Sequence, residues 1–298
     1  MVRLAPFDEG QMTHMLQVWN ATNGAALSRR GLEPLTSDVL LRYRELAEQP
    51  LLLMMLLIHD ADDNALRRAA DTLSHGQLYE QLLTRFAERE VEKRHASLNG
   101  HDFAEAVAHE LRHLEVAALA MFSRRRQSVR AQDLGSDLAV LMPEAFESEH
   151  ETGLHGRISP AHQVLGRFFF VHEARARRPD GSASVFEFLH ATFGEYLVAR
   201  TVVEALDDLV DEHAGGSRRR RRRKHGPQRI DDGELHAYAS FASFAGRQKV
   251  VEFLAELLDE RFEEEPEARD EYTELLLDLY RGVAAQTRQR RGTHPSPD

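Results

Sequence analysis

Apolar residues recur at three- and four-residue steps along most of the 298-residue chain, the period of helices that bury one face. The first stripe is Met12, Leu16 and Trp19, and Asp8 and Gln11 ahead of it are spaced to cap a helix start. Gly24, Gly31 and Pro34 predict a loop, followed by a short helix over about 38–47. Pro50 suits the first turn of the next helix, where its missing N–H costs nothing. The apolar run 51–58 behind it requires burial on every side. Ser74 and Gln77 form a capping box, with Leu73 and Leu78 placed as a hydrophobic staple. The helix they open runs through Tyr79, Leu82, Leu83, Phe86 and Val91. Another spans about 101–122, with Phe103, Val107, Leu111, Leu114 and Ala118 on one face. Shorter helices are predicted over 133–165, broken by Gly135, Pro143, Gly153 and Pro160.

The period then changes. The stretches 167–171 and 185–189 are aromatic and β-branched, and they flank Pro179-Asp180-Gly181, a turn sequence. This predicts one β-hairpin. At His190 the helical spacing returns through Phe193, Tyr196 or Leu197, Val203, Leu206 and Val210. A strand therefore feeds straight into a long amphipathic helix with a histidine at the junction. Residues 217–225 carry six consecutive arginines and Lys224 between Gly215-Gly216 and Gly226-Pro227, the composition of a linker. Two or three acidic amphipathic helices occupy about 233–290, and 295–298 form a tail. The fold class expected is mainly α: a helical domain, a winged-helix module with one β-hairpin, and a C-terminal helical module.

Composition narrows the function classes. The 38 Lys and Arg against 49 Asp and Glu give a net charge of −11, which speaks against a general nucleic-acid binder. Lysine occurs only at 93, 224 and 249, a bias that with abundant alanine suggests a high-GC bacterial genome. There is no cysteine, which excludes disulfides, thiolate nucleophiles and Cys-based zinc sites. The first residues carry no apolar signal segment, and the longest apolar run is far short of the roughly 20 residues that span a bilayer. A cytoplasmic protein without membrane contact is expected.

The junction from Val185 to Arg200 closely resembles the end of the winged-helix domain in NACHT-type signalling NTPases, the switch ATPases that include NOD-like receptors and bacterial defence proteins. Further segments match in order. The stretch 7–19 resembles the part just after the last strand of the ATPase core, and Glu48-Gln49-Pro50-Leu51-Leu52-Leu53 resembles the motif whose proline packs on adenine. Residues 79–93 resemble the helical domain, and 166–200 the winged helix. The resemblance implies a remnant of the core edge at 1–22, a helical domain at 23–124, a winged helix at 125–212, an Arg-rich linker at 213–232 and a C-terminal helical module at 233–292. It also implies that His190 touches the phosphates of ADP in a closed, inactive state and that Pro50 meets the adenine.

No G-x-x-x-x-G-K-[ST] loop occurs in these residues, and no strand ends in paired acids able to hold Mg²⁺. ATP binding and hydrolysis by this chain alone therefore have no chemical basis, and no cofactor is expected on it alone. ADP or ATP enters only with an ATPase core supplied in cis or in trans. The chain is read as beginning where that core ends, and a homo-oligomer on activation is implied.

Two other readings stay open. His109-Glu110-Leu111-Arg112-His113 is a literal H-E-x-x-H, the zinc-peptidase helix, with Glu144 or Glu147 far enough away to be a third ligand. On a helix whose apolar face is set by Val107, Leu111 and Leu114, both imidazoles are expected on the solvated side, so no metal is assigned. The arginine run can neutralise phosphates of nucleic acid beside a winged helix, although no aromatics are interleaved for base stacking.

Overall fold

The computed structural model describes residues 5–68, 73–143, 160–168, 170–178, 181–220, 232–239 and 242–292. It is mainly helical with a small three-stranded antiparallel sheet. The chain divides into two compact units, one of Met1–Leu111 with Arg167–Val171 and one of Arg112–Gly166 with His172–Asp298. Among the described residues no helix is long and apolar enough to cross a membrane.

The first unit begins with α1 (Glu9–Arg29), opened by the expected capping box: Asp8 Oδ1 accepts the Gln11 N–H at 2.8 Å, and Gln11 Oε1 accepts the Asp8 N–H at 3.0 Å. Gly24 lies inside this helix rather than in a loop. One glycine costs about 1 kcal/mol against alanine, too little to end a helix whose following turn still buries Leu27. The end comes at Gly31, at φ 71°, where the Leu32 N–H reaches the Leu27 carbonyl and the Gly31 N–H the Ser28 carbonyl. The helix expected over 38–47 is two short ones, α2 (Ser37–Leu41) and α3 (Arg44–Ala47).

Pro50 starts α4 (Pro50–Asp63) as expected. Leu52, Leu53, Met55, Leu56 and Leu57 are buried, whereas Leu51, Met54 and Ile58 are only half-buried, so burial stops short of the whole circumference. Arg30 donates to the carbonyls of Ala61 and Asp62 at 3.0 and 2.8 Å, satisfying oxygens that the last turn leaves free. α5 (Ala65–Arg68) and α6 (His75–Arg94) follow, α6 with the Ser74/Gln77 capping box. α7 (Gly100–Ser123) opens in this unit. Phe168 and Phe170 are buried here, with rings 5.4 Å apart and Phe170 at 5.7 Å from Phe86.

The second unit takes up α7 at Arg112 and continues through β1 (Ser128–Arg130), α8 (Ala131–Leu141), α9 (Pro160–Leu165), β2 (Val171–Arg178) and β3 (Gly181–Phe188). The sheet order is β1-β3-β2, and β1 pairs antiparallel with β3 through Ser128↔Glu187, Val129↔Phe186 and Arg130↔Val185. The strand expected at 167–171 begins only at its last residue. Three consecutive aromatics lack the alternation of a half-buried strand, and Phe168 and Phe170 are both buried. β2 itself is polar, Val171-His-Glu-Ala-Arg-Ala-Arg-Arg178, as suits an edge. The turn residues Pro179 and Asp180, and Gly153, lie outside the described residues. Gly135 sits within α8 and does not break it, while Pro160 opens α9 and the residues before it lie outside the described ones.

α9 is held on the sheet by His162, 3.0 Å from Glu173 of β2 and edge-on to Phe186 at 5.1 Å, while Ser184 of β3 donates to the same Glu173 at 2.7 Å. Then come α10 (Ala191–Arg220), α11 (Gly233–Ala239), α12 (Gln248–Glu264) and α13 (Ala268–Gly292). α10 continues through Gly215-Gly216 and the first three arginines of the run, inside the span expected as a linker; residues 221–231 lie outside the described ones. Phe186, Phe193, Tyr196 and Leu197 are fully buried and form the centre of this unit. Glu115, fully buried on α7, accepts from Arg112 at 3.1 Å and from Arg200 of α10. Arg112 also reaches Glu234 at 3.4 Å and the Tyr238 hydroxyl of α11. Burial and the neighbouring Glu234 push that phenol up to about 12.

Candidate functional site

His190 lies between β3 and α10, half-buried. Its Nδ1 is 2.6 Å from Thr192 Oγ1 and accepts the Thr192 N–H at 3.4 Å, so the ring caps one of the free donors at the helix start. Burial holds the imidazole below its usual value. A neutral ring accepting at Nδ1 carries its proton on Nε2, which leaves one N–H donor for an anion beside the positive end of α10. Pro50 is exposed at the first turn of α4, and just before it the Phe7 N–H donates to the Glu48 carbonyl at 2.7 Å. Pro50 belongs to the first unit and His190 to the second.

The H-E-x-x-H residues are not where the periodicity put them. Glu110 and His113 are 3% and 2% exposed, and His109 is half-buried. Beyond Leu111 the helix buries Val116, Ala117 and Leu119 as well as Leu114 and Ala118, so the apolar stripe widens until it takes in His113. The candidate ligand atoms lie within 4.8 Å of one another, a closeness that one helical turn gives to such a spacing. Glu110 Oε1 accepts from Arg94 and, at 3.2 Å, from Arg167. A carboxylate between two guanidiniums is more than neutralised, and those cations oppose a Zn²⁺ at the same oxygen. Glu144 and Glu147 lie outside the described residues.

Sequence reasoning missed a cleft of about 300 Å³ in the second unit, beside the junction that carries His190. Met121, Phe122, Phe188, Val198 and Val250 supply its apolar wall, and Arg126, Arg247, Glu187 and Glu195 its charges. α7 ends there with Arg125 in the left-handed region at φ 54°, its N–H on the Phe122 carbonyl and that of Arg126 on the Met121 carbonyl, which closes the last turn of the helix. Arg247 lies 6.0 Å over the Phe122 ring, which stacks on Phe244 at 5.3 Å. A Cβ on Gly194 would come within 3.2 Å of the Phe188 ring, so a larger residue there would need that ring to give by a few tenths of an ångström. Burial pushes the Glu195 carboxyl up, with Arg247 and Lys249 pulling it down. The contributing residues sit at the ends of elements far apart in the chain, where no single motif marks them.

His59, 5% exposed on α4 with Nε2 at 3.1 Å from Gln81 Oε1, is lowered in the same direction as His190, and burial is again the main cause. Both are neutral in the fold, while the unfolded chain binds a proton near pH 6.5. The unfolded state thus holds more protons below that value, and stability falls as the pH drops from 6.5 towards the lowered folded values. Asp60 and Glu195, raised by burial, act with the opposite sign in the carboxylate range. The expected result is a lower urea midpoint at pH 5.5 than at 7.5, with a smaller decrease in His59→Gln and in His190→Asn. Equal decreases in wild type and both variants would show that neither ring titrates against the fold.

Comparison with family models, with curated proteins and with solved structures gives no match to the chain.

Proposed function

We propose that the second unit, from the end of α7 to α10, is a winged helix. On this reading the chain is the regulatory, nucleotide-responsive segment of a NACHT-type signalling ATPase whose core is supplied in cis or in trans. The observation that carries the reading is the order helix, strand, helix, helix, strand, strand, with sheet order β1-β3-β2, leading into a long helix at His190. His190 adds a neutral donor beside the free N–H groups of α10. At rest the winged helix holds ADP through this ring, and on exchange it swings away as a rigid body, exposing surfaces for assembly. Such a switch needs only a ligand that distinguishes the two states.

The test is His190→Ala with the ATPase core present. Losing a charge-assisted hydrogen bond worth about 1.5–3 kcal/mol from the closed state alone weakens ADP about tenfold or more, ATP less, and raises basal signalling. His172→Ala on β2, whose side chain is exposed, leaves the nucleotide response unchanged. Wild-type ADP affinity and basal activity in a folded His190→Ala protein would make the histidine a helix cap and nothing more.

A further inference from the structure

The cleft beside the junction carries chemistry that a nucleotide switch does not use. Its four charged residues come from four places: Arg126 just past α7, Glu187 on β3, Glu195 on α10 and Arg247 just before α12. Among the described residues none of the four side chains forms an ion pair, although Arg247 is the cation that acts most strongly on Glu195. Two arginines and two glutamates therefore line one space that also has an apolar wall. At about 300 Å³ it stands at the small end of ligand pockets, which run from about 300 to 1,000 Å³.

Each simpler ligand fails on charge. A phosphate or a plain carboxylic acid would meet Glu187 and Glu195 as well as the arginines. An amine would meet Arg126 and Arg247, and a neutral apolar molecule would leave all four charges without partners as it displaced their water. A dipolar ligand with one apolar arm meets every group. We propose that this cleft binds a free apolar amino acid. Arg126 and Arg247 hold its carboxylate, Glu187 and Glu195 its ammonium, and Met121, Phe122, Phe188, Val198 and Val250 surround its side chain.

The geometry supports the assignment at two further points. Arg247 is laid over the Phe122 ring, and Phe122 is backed by Phe244, so the guanidinium is held in place before a ligand arrives. The Glu195 carboxyl is raised by burial, a desolvation that an ammonium partner relieves. A ligand here touches α7, β3, α10 and α12 together, so it acts on the frame that positions His190. The proposal does not rest on the nucleotide reading, and its test uses the chain alone.

The full chain is titrated by calorimetry with L-leucine and L-phenylalanine. Two comparators each lack one charge: N-acetyl-L-phenylalanine has no ammonium and L-phenylalaninamide no carboxylate. Both amino acids bind at one site, and each comparator binds about tenfold more weakly or worse, the loss of a charge-assisted bond. Arg247→Gln weakens phenylalanine about tenfold while leaving phenylalaninamide unchanged, and Glu195→Gln does the same with N-acetylphenylalanine as its insensitive probe. Should either variant fail to fold, backbone amide shifts of wild-type Gly194 and Val250 on adding phenylalanine give the location. No binding of either amino acid at millimolar concentration overturns the proposal. So does N-acetylphenylalanine binding as tightly as phenylalanine, displacement of phenylalanine by ADP at the same amides, or amide shifts confined to other parts of the chain.

Discussion

Glu115→Ala is expected to remove about 3–5 kcal/mol from the stability of the second unit, the cost of breaking a buried charge pair from one side. Glu115 is fully buried on α7, and its two oxygens accept from Arg112 at 3.1 Å and from Arg200 of α10. The side chains of Arg112 and Arg200 are only 26% and 19% exposed, so neither guanidinium can turn to water without dragging its neighbours. Removing the carboxylate leaves two half-buried cations facing each other. Arg200 keeps Glu204 at 2.7 Å, and Arg112 keeps Glu234 and the Tyr238 hydroxyl, so some compensation remains. Arg200→Ala should cost less than Glu115→Ala, because the remaining carboxylate still has Arg112. Urea unfolding followed by circular dichroism measures both. A loss under about 1 kcal/mol for Glu115→Ala would mean that the pair behaves as a solvated surface bridge and ties nothing together.

This network was invisible in the sequence because it depends on which helix faces which. Local signals read well. The capping boxes at Asp8/Gln11 and Ser74/Gln77, the proline at the start of α4 and the glycine end at Gly31 are all present, since each needs only neighbours a few residues away. Signals that depend on tertiary burial read poorly. β1 is three residues long, too short to show a period, and it exists because β3 offers it an edge. The end of α7 uses the same hydrogen-bond pattern as the end of α1, but with Arg125 in place of a glycine. Composition therefore marked one and passed over the other. His190 was legible from a change of period, whereas Arg126, Glu187, Glu195 and Arg247 were not, being four unremarkable charges brought together by packing.

The widest gap between pattern and fold is at His113, and it leads to the second large effect. A stripe counted from Val107, Leu111 and Leu114 leaves His113 in water, yet the helix there is buried around most of its girth. Glu110, one turn earlier and 3% exposed, accepts from Arg94 and from Arg167, whose side chain is 16% exposed. As a structural carboxylate it makes a definite prediction: Glu110→Ala destabilises the first unit by about 3–5 kcal/mol, and Glu110→Gln by less but still measurably, since the amide keeps an acceptor and loses the charge. A zinc peptidase predicts another pattern. There the glutamate is a general base turned to a metal-bound water, so Glu110→Gln should keep the fold and the zinc and abolish turnover. Two measurements on the same proteins decide, unfolding in urea and metal content by elemental analysis. The expected outcome is zinc well below one per chain in the wild type, with both Glu110 variants less stable. One zinc per chain, lost in His109→Ala or His113→Ala while Glu110→Gln keeps wild-type stability, would make Arg94 and Arg167 companions of a catalytic carboxylate and H-E-x-x-H the working centre of the molecule.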